Sequence, residues 1–112
     1  GVTFKENCPD IRNSKVIDLI RELQSWGVRV VAADAWADAA EVQHEYGLDL
    51  QSADAVQGVD ALVVAVGHHE YREMTPAQLR ALCKGDKPVI ADVKALYDRH
   101  QLAAAGFQVF RL

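Results

Sequence analysis

Cysteine is scarce in this chain: Cys8 and Cys83 are the only two. They make neither a zinc-binding spacing nor a disulfide framework, so a reducing compartment is expected. Long hydrophobic runs are missing too. The longest unbroken one, Ala61–Gly67, falls far short of the roughly 20 residues a membrane span needs. No basic start followed by an apolar block marks a signal peptide, and the expected location is cytoplasmic, with no membrane partner. Positive charge is not in excess: 12 Lys and Arg stand against 16 Asp and Glu, which speaks against a general nucleic-acid binder. Two glycine signatures are absent as well. There is no GxxxxGK[ST] phosphate loop, and no GxGxxG follows the first strand.

What is present suits one globular domain over residues 1–112. Half the residues are apolar and a quarter charged, ordinary values for a folded chain with a single core. That size argues against a self-sufficient two-substrate enzyme, because cofactor-dependent reactions usually sit between domains.

Short apolar runs alternate with helical patterns. Val2–Phe4 reads as a brief opening strand. Val16, Ile17, Ile20 and Leu23 form a helix stripe that starts near Ser14 and stops at Gly27. Val28–Ala33 is a second strand, ending at Asp34. Asp38–Tyr46 reads as a helix, Leu48–Leu50 as a short strand and Ser52–Val56 as a helical turn. Ala61–Val66 is continuous rather than alternating, as in a sheet covered on both faces. Thr75-Pro76 opens a helix to about Cys83, Pro88–Asp92 is a strand, Leu96–Ala105 a helix, and Phe107–Phe110 a last strand. The order predicts an α/β, three-layer, Rossmann-like domain: a mainly parallel sheet of about five to six strands with helices on both faces. The opening strand is short for the central position it would take, which predicts a truncated first strand and a chain cut from a larger protein.

In such sheets ligands bind beyond the carboxyl ends of the strands. Four loops lie there: Lys5–Asn13, Asp34–Asp38, Gly67–Met74 and Asp92–Leu96. In the first, Lys5, Arg12 and Lys15 gather near a helix N-terminus, which suits an anion such as phosphate. The alternative is that Lys5 pairs with Glu6 or Asp10, and Arg12 with Asp10, as surface ion pairs. Asp34 stands where a dinucleotide-binding domain places its ribose acid, but without the glycines it reads as a strand-end turn residue. Of His68 and His69, one could fix a loop or touch a polar ligand, and no spacing gathers the histidines around a metal. Cys8 lies near cations but has no evident general base, and it reads as a passive thiol. Cys83 reads as a small buried residue, and Trp26 and Trp36 as packing or contact residues.

The opening stretch, Gly1-Val-Thr-Phe-Lys-Glu-Asn-Cys-Pro-Asp-Ile-Arg-Asn-Ser14, resembles the start of the C-terminal domain of the UDP-glucose/GDP-mannose dehydrogenase family. The family pattern there is roughly G-x-[ST]-F-K-x-x-x-x-D-x-R-x-S, and Gly1, Phe4, Lys5, Asp10, Arg12 and Ser14 all fill it. The form is most similar to the branch that oxidises UDP-N-acetylhexosamines. Asp34-Ala-Trp-Ala-Asp38, Ala65-Val-Gly-His-His-Glu-Tyr71 and Asp92-Val-Lys94 resemble later family motifs, with Ala35 in place of the usual proline.

That resemblance implies a UDP-sugar-binding domain of an NAD-dependent nucleotide-sugar 6-dehydrogenase. Such enzymes take the C6 alcohol to a carboxylate with two NAD and a cysteine thioester, for polysaccharide biosynthesis of the capsule or O-antigen type. It implies that Phe4 and Lys5 contact the UDP-sugar and that Arg12 reaches NAD held mainly by an N-terminal domain. Lys94 takes the place of an arginine that contacts a neighbouring subunit's substrate. There a planar fork has become a point charge. The catalytic residues lie upstream in the family, so none is expected here. The implied partners are the UDP-sugar, the N-terminal and central domains of the same enzyme, and further copies in a homo-oligomer. The isolated chain is expected to be inactive. The competing readings are a stand-alone phospho-ligand module and an oligomerisation domain without catalysis.

Overall fold

The computed structural model describes residues 1–111. The fold is α/β, and every paired strand is parallel to its neighbour. Helix α1 (Lys15–Ser25) buries Ile17 and Ile20 of the expected stripe. It ends where Gly27 takes φ 82°, a left-handed turn that costs glycine least. Strand β1 (Ala32–Ala33) leads to α2 (Ala39–Tyr46). The carboxylate of Asp38 caps α2 by accepting the N–H of Glu41 at 2.9 Å, one of the donors a helix start leaves unpaired. Strand β2 (Leu50–Gln51) pairs with β1, and a 3-10 turn follows at Ala53–Ala55.

The second half carries β3 (Ala61–Val64), α3 (His69–Arg72), α4 (Pro76–Ala81), β4 (Val89–Asp92), α5 (Arg99–Ala104) and β5 (Gln108–Arg111). These strands form one sheet in the order β3-β4-β5. Thr75 and Gln78 close a reciprocal capping box on α4, with Pro76 where its missing N–H costs nothing.

The expected single sheet is two sheets: β1 and β2 form one, and β3, β4 and β5 the other. Among the described residues no strand bridges the two sheets. Val2–Phe4 is not a strand, because its N–H groups go elsewhere. Val2 and Thr3 donate to the Asp34 carboxylate, and Phe4 to the Asp10 carbonyl. The strand expected over Val28–Ala33 shrinks to Ala32–Ala33 for want of a partner along the rest. A cleft of about 650 Å3 runs between the sheets, lined by Val30 and Ala32 on one side and Leu62 and Val64 on the other.

Other limits differ from expectation: β2 is Leu50–Gln51 rather than Leu48–Leu50, β3 stops at Val64 rather than Val66, α4 ends at Ala81 rather than about Cys83, and β5 is Gln108–Arg111 rather than Phe107–Phe110. Helix α5 starts at Arg99 rather than Leu96, because the N–H groups of Leu96 and Tyr97 are taken by Asp92 and Asp98 then caps the helix. The loop Gly67–Met74 contains the unforeseen one-turn helix α3.

The core is in two parts. Ile90, Leu102, Phe107, Leu79 and the rings of Tyr71 and Tyr97 pack within the three-stranded half. Val2, Ile11, Ile17, Ile20, Ala32 and Val42 pack within the other. At about 25 cal/mol per Å2 of apolar surface, each fully buried side chain stabilises its half by roughly 1.5–3 kcal/mol.

Candidate functional site

The fourth candidate loop approaches the first and third beside Gly67, while the stretch leading into the first loop, the second loop and the third meet at Asp34. It ends β1 with both carboxylate oxygens occupied. Oδ2 accepts the N–H of Val2 at 2.6 Å and of Thr3 at 3.3 Å, and Oδ1 accepts those of Trp36 and Ala37 at 2.7 and 2.8 Å. His68 Nε2 lies 3.0 Å from Oδ2. Burial pushes this carboxyl's pKa up. The N–H groups of Val2, Trp36 and Ala37 and the His68 ring outweigh burial and hold it below the usual carboxylate range. Asp34 is therefore a strand-end turn residue that also ties in the first loop. It has no free oxygen for a ribose.

His68 is wholly buried and belongs to the same cluster. Its ring stacks on Trp36 with centroids 6.1 Å apart, and Trp36 Nε1 donates to Glu70 at 2.9 Å. The N–H of Asn7 donates to His68 Nδ1 at 2.9 Å, and the N–H of His69 returns to Asn7 Oδ1 at 2.8 Å. Glu6 pairs with Arg72 at 3.0 Å. The first, third and fourth loops come close at Gly67. A Cβ there would stand 2.9 Å from Leu96 Cδ2 and 3.1 Å from Glu6 Oε2, so those side-chain ends would have to shift to admit one. In the fourth loop Asp92, itself fully buried, shapes the turn that carries Lys94 by accepting from Leu96 and Tyr97. Burial and the nearby Asp92 charge push the Tyr97 hydroxyl up to about 12, so it stays a donor and bonds the Tyr71 carbonyl at 2.6 Å.

Phe4 and Lys5 stand on the surface above this cluster, Phe4 at 58% exposure. Lys5 forms no ion pair among the described residues, and Glu6, its expected alternative partner, is engaged by Arg72. Arg12 follows the alternative reading. Its guanidinium makes a two-point contact with Asp10, 3.0 Å at each nitrogen, and holds that carboxyl below its usual range. Lys94 is exposed. Phe4, Lys5, Arg12 and Lys94 are all exposed, and none of them lines the cleft between the sheets or the hollow beside Asp34 and Glu70. Helix α1 begins at Ser14 without a side-chain cap. Ser14 Oγ is buried with no partner among the described residues, and the first N–H groups of the helix lack a side-chain acceptor.

Cys8 is half-buried and free. Cys83 packs against the core, its thiol pushed up by burial. His69 is exposed beside Glu70. Asn7 and His68 are the residues that loop reading undervalued. Asn7 has φ 53°, a turn conformation that asparagine tolerates well. The remaining signal was the His-His pair placed directly after a strand.

Among the described residues no helix is long and apolar enough to cross a membrane. Residues 1–99 match the model of the UDP-glucose/GDP-mannose dehydrogenase family, UDP binding domain. The chain is 43% identical over 101 residues to a UDP-N-acetyl-D-glucosamine 6-dehydrogenase of Salmonella typhi, covering 90% of this chain and 24% of that protein. It is 40% identical over 98 residues to the enzyme of the same name in Pseudomonas aeruginosa, covering 88% and 23%. It is 37% identical over 102 residues to Protein CapL of Staphylococcus aureus, covering 91% and 24%. The chain thus spans about a quarter of the length of these relatives. Among solved structures, an NDP-N-acetyl-D-galactosaminuronic acid dehydrogenase from Methanosarcina mazei superposes with a TM-score of 0.88 at 20% identity, covering 99% of this chain and 23% of that one. At that identity the likeness speaks for the fold.

Proposed function

The chain belongs to the UDP-glucose/GDP-mannose dehydrogenase family, and on that premise we propose that it is the UDP-sugar-binding domain of a larger NAD-dependent nucleotide-sugar 6-dehydrogenase. The substrate is a UDP-N-acetylhexosamine, and the product feeds cell-surface polysaccharide synthesis in the cytoplasm. The observation that carries this reading is Lys5. It is a cation without a carboxylate partner among the described residues, on a loop whose two flanks are tied down by Asp34 and His68.

The chemistry asked of this domain is positioning. Lys5 sets a point charge against the pyrophosphate, and the uncapped start of α1 adds partial positive charge nearby. Phe4 offers an apolar face beside it. Binding energy spent on the remote nucleotide then aligns C6 with reactive groups on other domains. The residues present do not form a dinucleotide cradle: Asp34 is spent on its own chain, and no glycine-rich turn precedes α1. NAD is therefore held mainly by another domain, with Arg12 reaching it across the cleft between the two domains. Arg12 has to leave Asp10 to do so, and an exposed ion pair is exchanged at little cost. Lys94, also exposed, reaches a neighbouring subunit's substrate in a homo-oligomer.

The decisive experiment is Lys5→Ala in the complete dehydrogenase. Loss of one charge-assisted contact raises the KM for the UDP-sugar about ten- to a hundredfold, and an unchanged KM removes Lys5 from the site. The 112-residue chain alone reduces no NAD. Turnover by it with any UDP-sugar would contradict the proposed division of labour.

A further inference from the structure

We propose that His68 is a positioning residue for the substrate loop, acting through an acceptor at Nδ1 and a donor at Nε2. This rests on the reading of Phe4 and Lys5 as substrate contacts, and deepens it.

Counting donors assigns the tautomer. The N–H of Asn7 donates to Nδ1 at 2.9 Å, and a backbone N–H has no other role to play, so Nδ1 carries a lone pair. Nε2 then carries the proton. It faces two acceptors, Asp34 Oδ2 at 3.0 Å and Thr3 Oγ1 at 3.1 Å. Thr3 can accept because its own proton goes to the Lys5 carbonyl at 2.9 Å. One imidazole therefore bonds both flanks of Lys5. Through Nε2 it holds Thr3, whose hydroxyl holds the Lys5 carbonyl. Through Nδ1 it holds Asn7, two residues further on. The ring is itself immobilised by burial and by the Trp36 and Tyr71 rings, at 6.1 and 5.7 Å. A lysine side chain loses considerable rotamer freedom on binding, and a fixed backbone beneath it limits the further ordering that binding requires.

Two variants separate the ring's two jobs. In His68→Gln the amide reaches toward Asp34 and Thr3 and offers Asn7 no acceptor. In His68→Asn the Oδ1 stands near the place of Nδ1 and keeps Asn7 bonded. In the complete enzyme His68→Gln is expected to raise the KM for the UDP-sugar about five- to tenfold, the worth of one hydrogen bond. Its kcat stays within about twofold, and His68→Asn restores most of the KM. Equal KM values in His68→Gln and wild type, or a KM in His68→Asn as high as in His68→Gln, overturn the proposal. Where a variant does not fold, the ring itself decides. Nitrogen-15 spectra of the unmodified chain at neutral pH should show Nδ1 bare and Nε2 protonated, and the opposite tautomer sinks the idea. An unchanged KM in Lys5→Ala would sink the substrate-loop reading as a whole. A raised KM there with none in His68→Gln sinks only the role of His68.

Discussion

The two halves of the molecule are held in different ways. In the half built on β3, β4 and β5, backbone ladders of four residues each run through the sheet, and tyrosine, leucine and phenylalanine side chains fill the core. In the other half the ladder is two residues long, and the first loop has no strand to join. There a single buried carboxylate does what a neighbouring strand would do: Asp34 accepts the N–H groups of Val2 and Thr3 from across the chain, and those of Trp36 and Ala37 locally. Asp92 ends its strand in the corresponding manner, yet its backbone bonds are only local, to Leu96 and Tyr97. A side chain that substitutes for a strand concentrates stability in one residue, whereas a ladder spreads it over many.

The largest expected effect tests that contrast directly. Asp34→Ala strands four buried or half-buried N–H groups and the His68 ring, and should cost about 3–5 kcal/mol of stability in urea unfolding. Asp92→Ala strands two and should cost less, about 2–3 kcal/mol. Equal losses would break the comparison between the halves.

Acid comes next. The carboxyl of Asp34 titrates lower in the folded chain than in the unfolded one. The stability it lends is fully present above the unfolded value of about 3.9. It drains away as pH falls from there through the folded value, because the unfolded state binds the proton first. Thermal melts between neutral pH and about pH 3 should show this loss, and Asp34→Asn should flatten it. An unaltered profile in Asp34→Asn would move the acid sensitivity to other carboxylates.

The smallest effect is expected at Arg12. Its contact with Asp10 is well formed, at 3.0 Å on each nitrogen, but exposed to water. Exposed pairs add little to stability. Arg12→Ala should therefore leave the melting temperature where it is, while the complete enzyme loses affinity for NAD. A clear drop in melting temperature would make Arg12 a structural residue of the first loop and remove it from the cofactor.

Much of the fold was legible from residue order. The stripe of Ile17 and Ile20, the apolar run from Ala61, the Thr75-Pro76 start and the helix opened at Asp38 each carry their meaning locally, through periodicity or through a side chain that bonds its own neighbours, whereas the Asp98 cap was missed and its helix was expected to start at Leu96. The candidate loops were legible for the same reason, since the ends of the strands could be counted. The pairing of the strands was not. Val28–Val31 has the composition of a strand but no neighbour to bond, and pairing is a property of two segments rather than one. Of the site, the exposed Lys5 and the Arg12–Asp10 pair were among the readings open in advance. The burial of His68 and its bonds to Thr3, Asn7 and Asp34 were not.

The order of residues by itself determined the α/β class, the apolar stripe of the first helix and the family motif from Gly1 to Ser14, because each depends on residues that are near one another along the chain. Only the tertiary structure decided that there are two sheets, that Asp34 serves the first loop rather than a ribose, and that one imidazole supports both flanks of Lys5. Those outcomes join residues more than thirty apart, and which donor finds which acceptor at that range is settled by folding, not by spacing.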